Sequence, residues 1–465
     1  MTTIHTAARV AQTVLAAQGE KPTRVRAGGG FSFSRASAAE RAVGPLFGVF
    51  LTYGVARIQE VFPVLEVAHL AQVIGILCLA VLATSIGVTG WVAMWRQSFT
   101  LRAMVGLFGL ALITIFLGIW VAGSWYYFKE KYIIQWLLFL IGAILFRDRT
   151  IMRTSIAMVS AAVTAAAWMA VSGQANMGGD VDRVYIGGTG GTRGSLDPND
   201  FGAILVSIIP LALWLGSTSG PFRKVLWYGA AMLMVGAIAP TASRGALIGL
   251  ATVGLVLILI GTTGYKRIFM GGFVALAILL FTTVVNDAQM ARFGAIGGDD
   301  DYNVSSGEGR IAIWKRGIVW TIKRPTGYGL DNFPIYFGWL NGKEKAAHNS
   351  FVQIAVELGV AGLILFVLIY WRGLKDGWRY LRELRKLGKG PRPPPLARET
   401  SLVGMAIASI TGALVTGFFL SNAYASITMF VFAILAGMEL GRTALPNGGP
   451  IPAGLPARRG YRSRS

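Results

Sequence analysis

The residues of this chain that could do chemistry stand where polar segments meet long apolar runs. His348, one of only three histidines, begins the stretch HNSFVQIAVELGVAGLILFVLIYW, which becomes continuously apolar. An imidazole and an amide at the head of such a run mark a position where a functional site is expected. Asn349 could orient the imidazole or cap the helix that begins there.

Two arginines are candidates for binding an anion. Arg244 lies in APTASRGALIGL, between two apolar runs, and Arg310 begins the stretch RIAIWKRGIVWTIK. A guanidinium stays charged, and its planar fork matches the oxygens of a phosphate or diphosphate. The alternative for Arg244 is an interfacial side chain that reaches toward lipid headgroups. The alternative for Arg310 is a solvated charge at the start of a surface helix.

Composition places these residues in a membrane protein. Hydrophobic residues make up 54% of the chain, charged residues 14%, and the mean hydropathy is +0.57. Apolar runs long enough to cross a bilayer recur along the whole sequence. We therefore predict an all-α polytopic membrane protein with about twelve transmembrane helices. The predicted spans are 44–59, 64–88, 103–122, 131–146, 151–172, 198–216, 224–240, 245–261, 267–285, 349–371, 400–420 and 423–441.

These spans predict one transmembrane catalytic domain, 44–441, between a disordered basic tail at 1–43 and a basic tail at 442–465. With both tails on one face, that face holds 29 of the 43 Lys and Arg and 7 of the 22 Asp and Glu. The positive-inside rule assigns it to the cytoplasm, so the polar loops 173–197 and 286–348 face the periplasm of a bacterial inner membrane. Anionic lipids account for the basic excess, and no nucleic-acid partner is required.

The larger loop, 286–348, lies between the ninth and tenth predicted spans and is expected to contain short helices. Ile311, Trp314, Ile318 and Ile322 recur at helical spacing, which predicts an amphipathic helix along the outer interface. Arg310 falls at the start of that helix.

Asp197 precedes a proline at the start of the sixth predicted span. We expect it mainly to cap that helix, because Asp before a proline at the first helical position is a common start signal. A contact between this segment and a sugar is the alternative role.

The remaining polar groups carry weaker signals. The acidic run at 299–301 begins like a calcium loop, but Val304 and Arg310 stand where Gly and Glu are required, so no metal site is predicted. His69 is expected to make an interhelical hydrogen bond rather than to act in catalysis. Cys78 is the only cysteine, which excludes an intramolecular disulfide.

In combination, several segments of the chain resemble the O-antigen ligase and O-antigen polymerase superfamily, membrane glycosyltransferases that use polyprenyl-diphosphate-linked glycans. The similarity covers residues 198–372, and the segments occur in the family's order. They are the SRG at 243–245, the GRxxxW at 309–314, the RPxGYG at 324–329, the NF at 332–333 and HNSFVQIAVELGVAGL at 348–363.

The resemblance implies that Arg244 and Arg310 bind the lipid diphosphate, that His348 acts at the acceptor hydroxyl, and that no metal or other cofactor takes part. It implies transfer of a glycan from an undecaprenyl-diphosphate-linked donor to an acceptor at the periplasmic face, in O-antigen or exopolysaccharide assembly. The acceptor stays open among a growing glycan (polymerase), a lipid A core (ligase) and a protein hydroxyl (protein O-oligosaccharyltransferase).

A non-enzymatic transporter of lipid or polysaccharide is the alternative from another class. Transporters place their ionisable groups near the middle of the membrane, often on broken helices in repeated halves. The candidate residues here stand instead at the predicted outward ends of the spans and in one large loop. That distribution favours an enzyme.

Overall fold

The computed structural model describes residues 36–57, 70–173, 176–178, 183–185, 196–261, 271–272, 275, 309–387, 394–444 and 450–452. Fifteen α-helices contain most of these residues. They are α1 (Ala38–Val55), α2 (Leu70–Gln97), α3 (Phe99–Leu117), α4 (Val121–Tyr127), α5 (Ile133–Leu145), α6 (Arg149–Val171), α7 (Pro198–Ser217), α8 (Pro221–Gly236), α9 (Arg244–Ile260), α10 (Arg310–Lys323), α11 (Phe333–Asn341), α12 (Ser350–Glu357), α13 (Gly359–Lys386), α14 (Pro394–Gly417) and α15 (Ser426–Leu440).

Short elements join these helices. A π-helical turn, Phe128–Tyr132, connects α4 to α5, and a 3₁₀ turn, Ala239–Thr241, stands between α8 and α9. Two antiparallel ribbons complete the described secondary structure. They are β1 (Asn176–Gly178) with β2 (Arg183–Tyr185), and β3 (Arg442–Ala444) with β4 (Pro450–Pro452).

Six of the described helices are long and apolar enough to cross a membrane, which confirms the helical membrane class. They are Leu70–Gln97, Phe99–Leu117, Arg149–Val171, Pro198–Ser217, Pro221–Thr241 and Leu396–Gly417. Two shorter apolar helices, Arg244–Ile260 and Ser426–Leu440, overlap two further predicted spans. The total of twelve spans stays a prediction.

Other parts of the sequence-based prediction differ from the described helices. The predicted single span 349–371 is broken between α12 and α13, at Gly359, whose φ is +75°. The first helix begins at Ala38, where Ser37 and Glu40 form a capping box, so it starts inside the segment 1–43. The predicted span 267–285 and the loop residues 286–308 lie almost entirely outside the described residues, as do His69 and the acidic run at 299–301.

The helices α7 and α15 form the centre of the bundle, because both are apolar on every side and almost all of their residues are buried. At one end of the bundle, a buried ion pair ties α1 to the turn before α6. Arg147 Nη2 lies 2.8 Å from both carboxylate oxygens of Glu40. This end is opposite to the one that carries His348, because α15 begins shortly after Ser421, which contacts His348, and its last turns contact Phe146.

The break between α12 and α13 is held by the segment 324–329, the RPTGYG of the sequence. Tyr328 N–H donates to Val356 O at 2.8 Å, and Gly329 N–H donates to Glu357 O at 3.1 Å. These two bonds satisfy carbonyl groups that the end of a helix leaves unpaired. The segment therefore connects the end of α10, which begins at Arg310, to the helix that follows His348.

Close backbone contact explains two glycines at this break. A Cβ atom on Gly327 would lie 2.5 Å from Glu357 O, and one on Gly359 would lie 2.3 Å from Pro325 O. Both glycines also have positive φ, +90° and +75°. No other residue fits without separating the two backbones.

We expect Gly359→Ala to lower the melting temperature of the purified protein strongly, because the methyl group would push the 324–329 segment away. Gly342→Ala is the matched control: its φ is +73°, but nothing lies within 4 Å of its Cβ position. The control should cost only the backbone strain, about 1 kcal/mol. Thermal unfolding in detergent measures both variants, and equal shifts would contradict the close-contact explanation.

Candidate functional site

All four predicted site segments begin a helix. Asp197 is the N-cap of α7, Arg244 is the first residue of α9, Arg310 is the first residue of α10, and His348 directly precedes Asn349, the N-cap of α12. The N-terminus of a helix carries a partial positive charge and N–H groups that have no partner within the helix. Helix N-termini with arginine at the first position are suited to binding an anion.

The caps differ among these helices. Asp197 Oδ1 accepts from Asn199 N–H at 2.7 Å, so the cap predicted at Asp197 is confirmed. Asn349 Oδ1 accepts from the N–H groups of Phe351 and Val352 at 2.8 and 3.0 Å, which makes Asn349 a helix cap.

The two arginine helices are capped less completely. Ser243 Oγ accepts from Ala246 N–H at 3.3 Å at the start of α9. At the start of α10 the N-cap is Gly309, which has no side chain to accept from the first turn. The N-cap residue of α10 therefore gives the first turn, next to Arg310, no side-chain hydrogen bond.

His348 is held by its backbone. Its N–H donates to Ser421 Oγ at 2.8 Å, and the preceding carbonyl, Ala347 O, accepts from Trp314 Nε1 at 3.0 Å. Trp314 lies one helical turn after Arg310 on α10. These contacts bring the start of α10 and the loop before α12 together. Neither contact uses the imidazole, which is half-buried.

The surroundings of the imidazole lower the pKa of His348 from its usual 6.5 to about 4. Burial has the largest effect, because it disfavours the charged ring, and the positive charge of Arg310 acts in the same direction. Asp197 raises the pKa by a smaller amount, and Lys345 lowers it. Arg310 and Asp197 are therefore close enough to influence His348, and the ring is neutral at neutral pH.

Arg244 is connected to the same end of the bundle through its sequence neighbours. A Cβ atom on Gly202, in the second turn of α7, would lie 3.5 Å from Ser243 Cβ. A Cβ atom on Gly245 would lie 2.9 Å from Phe419 Cβ. Arg244 thus stands between the start of α7 and the connection from α14 to α15, the connection that also contains Ser421.

Two strained backbone positions belong to this site. Within the described residues, four non-glycine residues have positive φ: Arg57 (+50°), Ala242 (+48°), Asp331 (+60°) and His348 (+50°). Such conformations cost on the order of 1–3 kcal/mol each and are enriched at functional sites. Ala242 lies two residues before Arg244, and His348 is itself one of the strained residues. Strained backbone is therefore found next to a candidate anion ligand and at the candidate base.

Sequence reasoning missed the connection between α14 and α15. Ser350 Oγ lies 2.7 Å from Leu420 O and 2.6 Å from Asn422 Oδ1, and Asn422 N–H donates back to it at 3.1 Å. With Ser421 holding His348, this connection positions the start of α12. Its signal in the sequence is the pair Ser421–Asn422, two polar residues between long apolar runs, where polar groups are costly.

Glu357 holds a neighbouring segment. Its Oε1 accepts from Phe333 N–H at 3.4 Å, at the start of α11, and the side chain is fully buried. Glu357 therefore helps to hold the 324–333 segment rather than the imidazole.

Comparison with known proteins supports the same segments. No curated protein matches the chain. The model of the O-antigen ligase family matches residues 229–367, a range that contains Arg244, Arg310 and His348. Families of this kind act in glycan transfer during polysaccharide assembly, and the described helices give the membrane-embedded architecture that such a protein needs. Residues 229–367 of the chain are therefore similar to the O-antigen ligase family, as the sequence resemblance predicted.

Proposed function

We propose that the protein transfers a glycan from an undecaprenyl-diphosphate-linked donor to an acceptor hydroxyl at the periplasmic face, in O-antigen or exopolysaccharide assembly. The observation that carries the proposal is the neutral imidazole of His348 beside Arg310, where helix N-termini converge. The similarity of residues 229–367 to the O-antigen ligase family supports glycan transfer in general. The acceptor stays open among a growing glycan, a lipid A core and, as the alternative function, a protein hydroxyl.

Each group has a separate task in the proposed reaction. Arg244, Arg310 and the first turns of their helices bind the diphosphate oxygens. The acceptor oxygen attacks the anomeric carbon while the bond from that carbon to the diphosphate oxygen breaks. The bonding electrons leave with the diphosphate, whose growing negative charge the guanidiniums stabilise. The hydroxyl proton passes to a ring nitrogen of His348.

Binding of the donor should change the basicity of His348. A pKa of about 4 makes His348 a weak base in the free protein. A bound diphosphate would offset the positive charge of Arg310 and favour the protonated ring, which raises the pKa of His348. An imidazole with a pKa closer to neutrality is a stronger base, so its basicity increases when the leaving group is in place.

This electrostatic coupling predicts a pH dependence. Rates at low donor concentration should fall only as the pH approaches about 4, where His348 becomes protonated in the free protein. Arg310→Gln removes a positive charge that lowers the pKa of His348, so the fall in rate at acid pH should move to higher pH. Asp197→Asn removes a negative charge that raises this pKa, so the fall should move to lower pH. The pH profile of kcat/KM for the donor measures this effect. Lys323→Gln, at the far end of α10, is the control and should leave the profile unchanged.

The charge distribution supports the proposed orientation and is tested by topology. Reporter fusions at Gly190 and Lys343 should read periplasmic, and a fusion at Gly388 should read cytoplasmic, because the basic excess lies with the tails. A cytoplasmic reading at Lys343 would place the site away from a periplasmic donor and contradict the mechanism.

The direct test uses lipid-linked glycan extracted from host cells that lack this protein. The purified protein in nanodiscs should consume this donor and release polyprenyl diphosphate when an acceptor is present. Longer glycans as products would indicate a polymerase, and glycan joined to lipid A core would indicate a ligase. Products joined only to protein would identify the acceptor as a protein hydroxyl, and no consumption with any acceptor would refute the proposed function.

A further inference from the structure

A cavity of about 580 Å³ lies beside the candidate site. Ser421, whose hydroxyl accepts from His348 N–H, is part of its wall, and so are Asn422 and Tyr424 of the same connection. The start of α7 contributes Asp200, and the turn before α5 contributes Lys131. The cavity therefore lies at the same end of the bundle as His348, and Ser421 contacts both.

The charged groups among the described residues that line the cavity are balanced. Arg57 and Lys131 line it together with Asp200 and Glu130, two formal positive and two formal negative charges. Arg57 Nη1 and Asp200 Oδ2 lie 3.9 Å apart. A diphosphate would gain little from such a wall, since two carboxylates oppose the attraction of the two cations. A neutral ligand with many hydroxyl groups suits it better, because carboxylates accept from hydroxyls while guanidinium and ammonium groups donate to them.

The uncharged residues of the wall point to the same ligand. Gln72 and Gln135 line the cavity. Their side-chain amides both donate to and accept from hydroxyl groups, so they suit a sugar. Tyr127 and Tyr424 add ring faces for the C–H surface of a ligand.

We infer that this cavity binds sugar rings of the glycan substrate, while Arg244 and Arg310 bind the diphosphate. The inference rests on the proposed function and extends it by separating the two parts of the substrate. The volume is within the range of small-ligand sites and accommodates one or two hexose units. The rings can come from the donor glycan or from the acceptor glycan, because both present the same hydroxyl groups and both must reach His348.

The test compares two lysines on one π-helical turn. Lys129 and Lys131 are both exposed, but only Lys131 lines the cavity. Lys131→Ala should raise the KM for one glycan substrate about tenfold, the loss expected for one charge-assisted hydrogen bond, with little change in kcat. Lys129→Ala should leave both KM values unchanged. Gln135→Leu, which keeps side-chain volume while removing the amide, should act like Lys131→Ala.

The KM values for the two substrates identify which of them supplies the bound sugar rings. A higher KM for the extracted lipid-linked donor assigns the cavity to the donor glycan, and a higher KM for the acceptor glycan assigns it to the acceptor. Unchanged KM values for both substrates in Lys131→Ala and Gln135→Leu would overturn the inference.

Binding of inorganic pyrophosphate separates this outcome from failure of the proposed function. The cavity variants should bind it as the wild type does, whereas Arg244→Ala should bind it more weakly. If the cavity variants bound pyrophosphate more weakly as well, the assignment of the diphosphate to the arginines alone would be wrong, and so would the division of the substrate between two sites.

Discussion

His348→Ala should reduce glycan transfer by about 10²–10⁴-fold while donor binding is retained. The ring is the proposed proton acceptor, whereas Arg244 and Arg310 hold the donor. The substitution leaves the backbone contact to Ser421 in place, because that bond uses the N–H of residue 348. Release of polyprenyl diphosphate measures transfer, and retention of radiolabelled donor by protein in nanodiscs measures binding.

Asn349→Ala is the matched control for the position of this segment. Its side chain caps α12, so its loss should cost about 1 kcal/mol of stability and reduce transfer less than loss of the ring does. A purified, folded His348→Ala variant that turned over at the wild-type rate would remove the catalytic role of the imidazole. The arginine part of the mechanism would then stand alone.

Arg244→Lys should reduce transfer by about 10²–10³-fold although the charge is kept. Lysine presents a single ammonium group, so the bidentate contact with diphosphate oxygens is lost. The protein should reach the membrane at its normal level, because Ser243 still caps α9 and the small residues around it are unchanged. Donor turnover and membrane abundance are the two measurements.

Arg310→Ala should have an effect of similar size, since Arg310 begins α10 and acts on the imidazole. Lys315→Ala is the control, because Lys315 is exposed on the same helix and belongs to none of the proposed contacts. Losses of equal size in Arg244→Lys, Arg310→Ala and Lys315→Ala would indicate a general electrostatic effect. Such a result would place the diphosphate elsewhere.

The sequence alone was sufficient to predict the helical membrane class and the residues with suitable chemistry. Apolar run length is a local property, so six of the predicted spans appear as helices long enough to cross a membrane. The sequence also predicted the start of the helix at Arg310 and the caps at Asp197 and Asn349. Such predictions are possible because helix start signals lie within a few residues of the helix.

Tertiary structure decided how these residues are combined. Asp197, Arg310 and His348 are far apart in the chain, and only the packing of α7, α10 and α12 brings their charges within reach of one another. The same packing lowers the pKa of His348, since burial depends on every neighbouring element.

The break at Gly359 and the contact of Ser421 with His348 were also hidden in the sequence. An apolar run from 349 to 371 reads as one span, because hydropathy does not register a backbone contact with the distant 324–329 segment. Ser421 looked like part of a short polar interruption between two spans. Its role follows from a hydrogen bond across 73 positions of the chain, and bonds of that range are set by the fold as a whole.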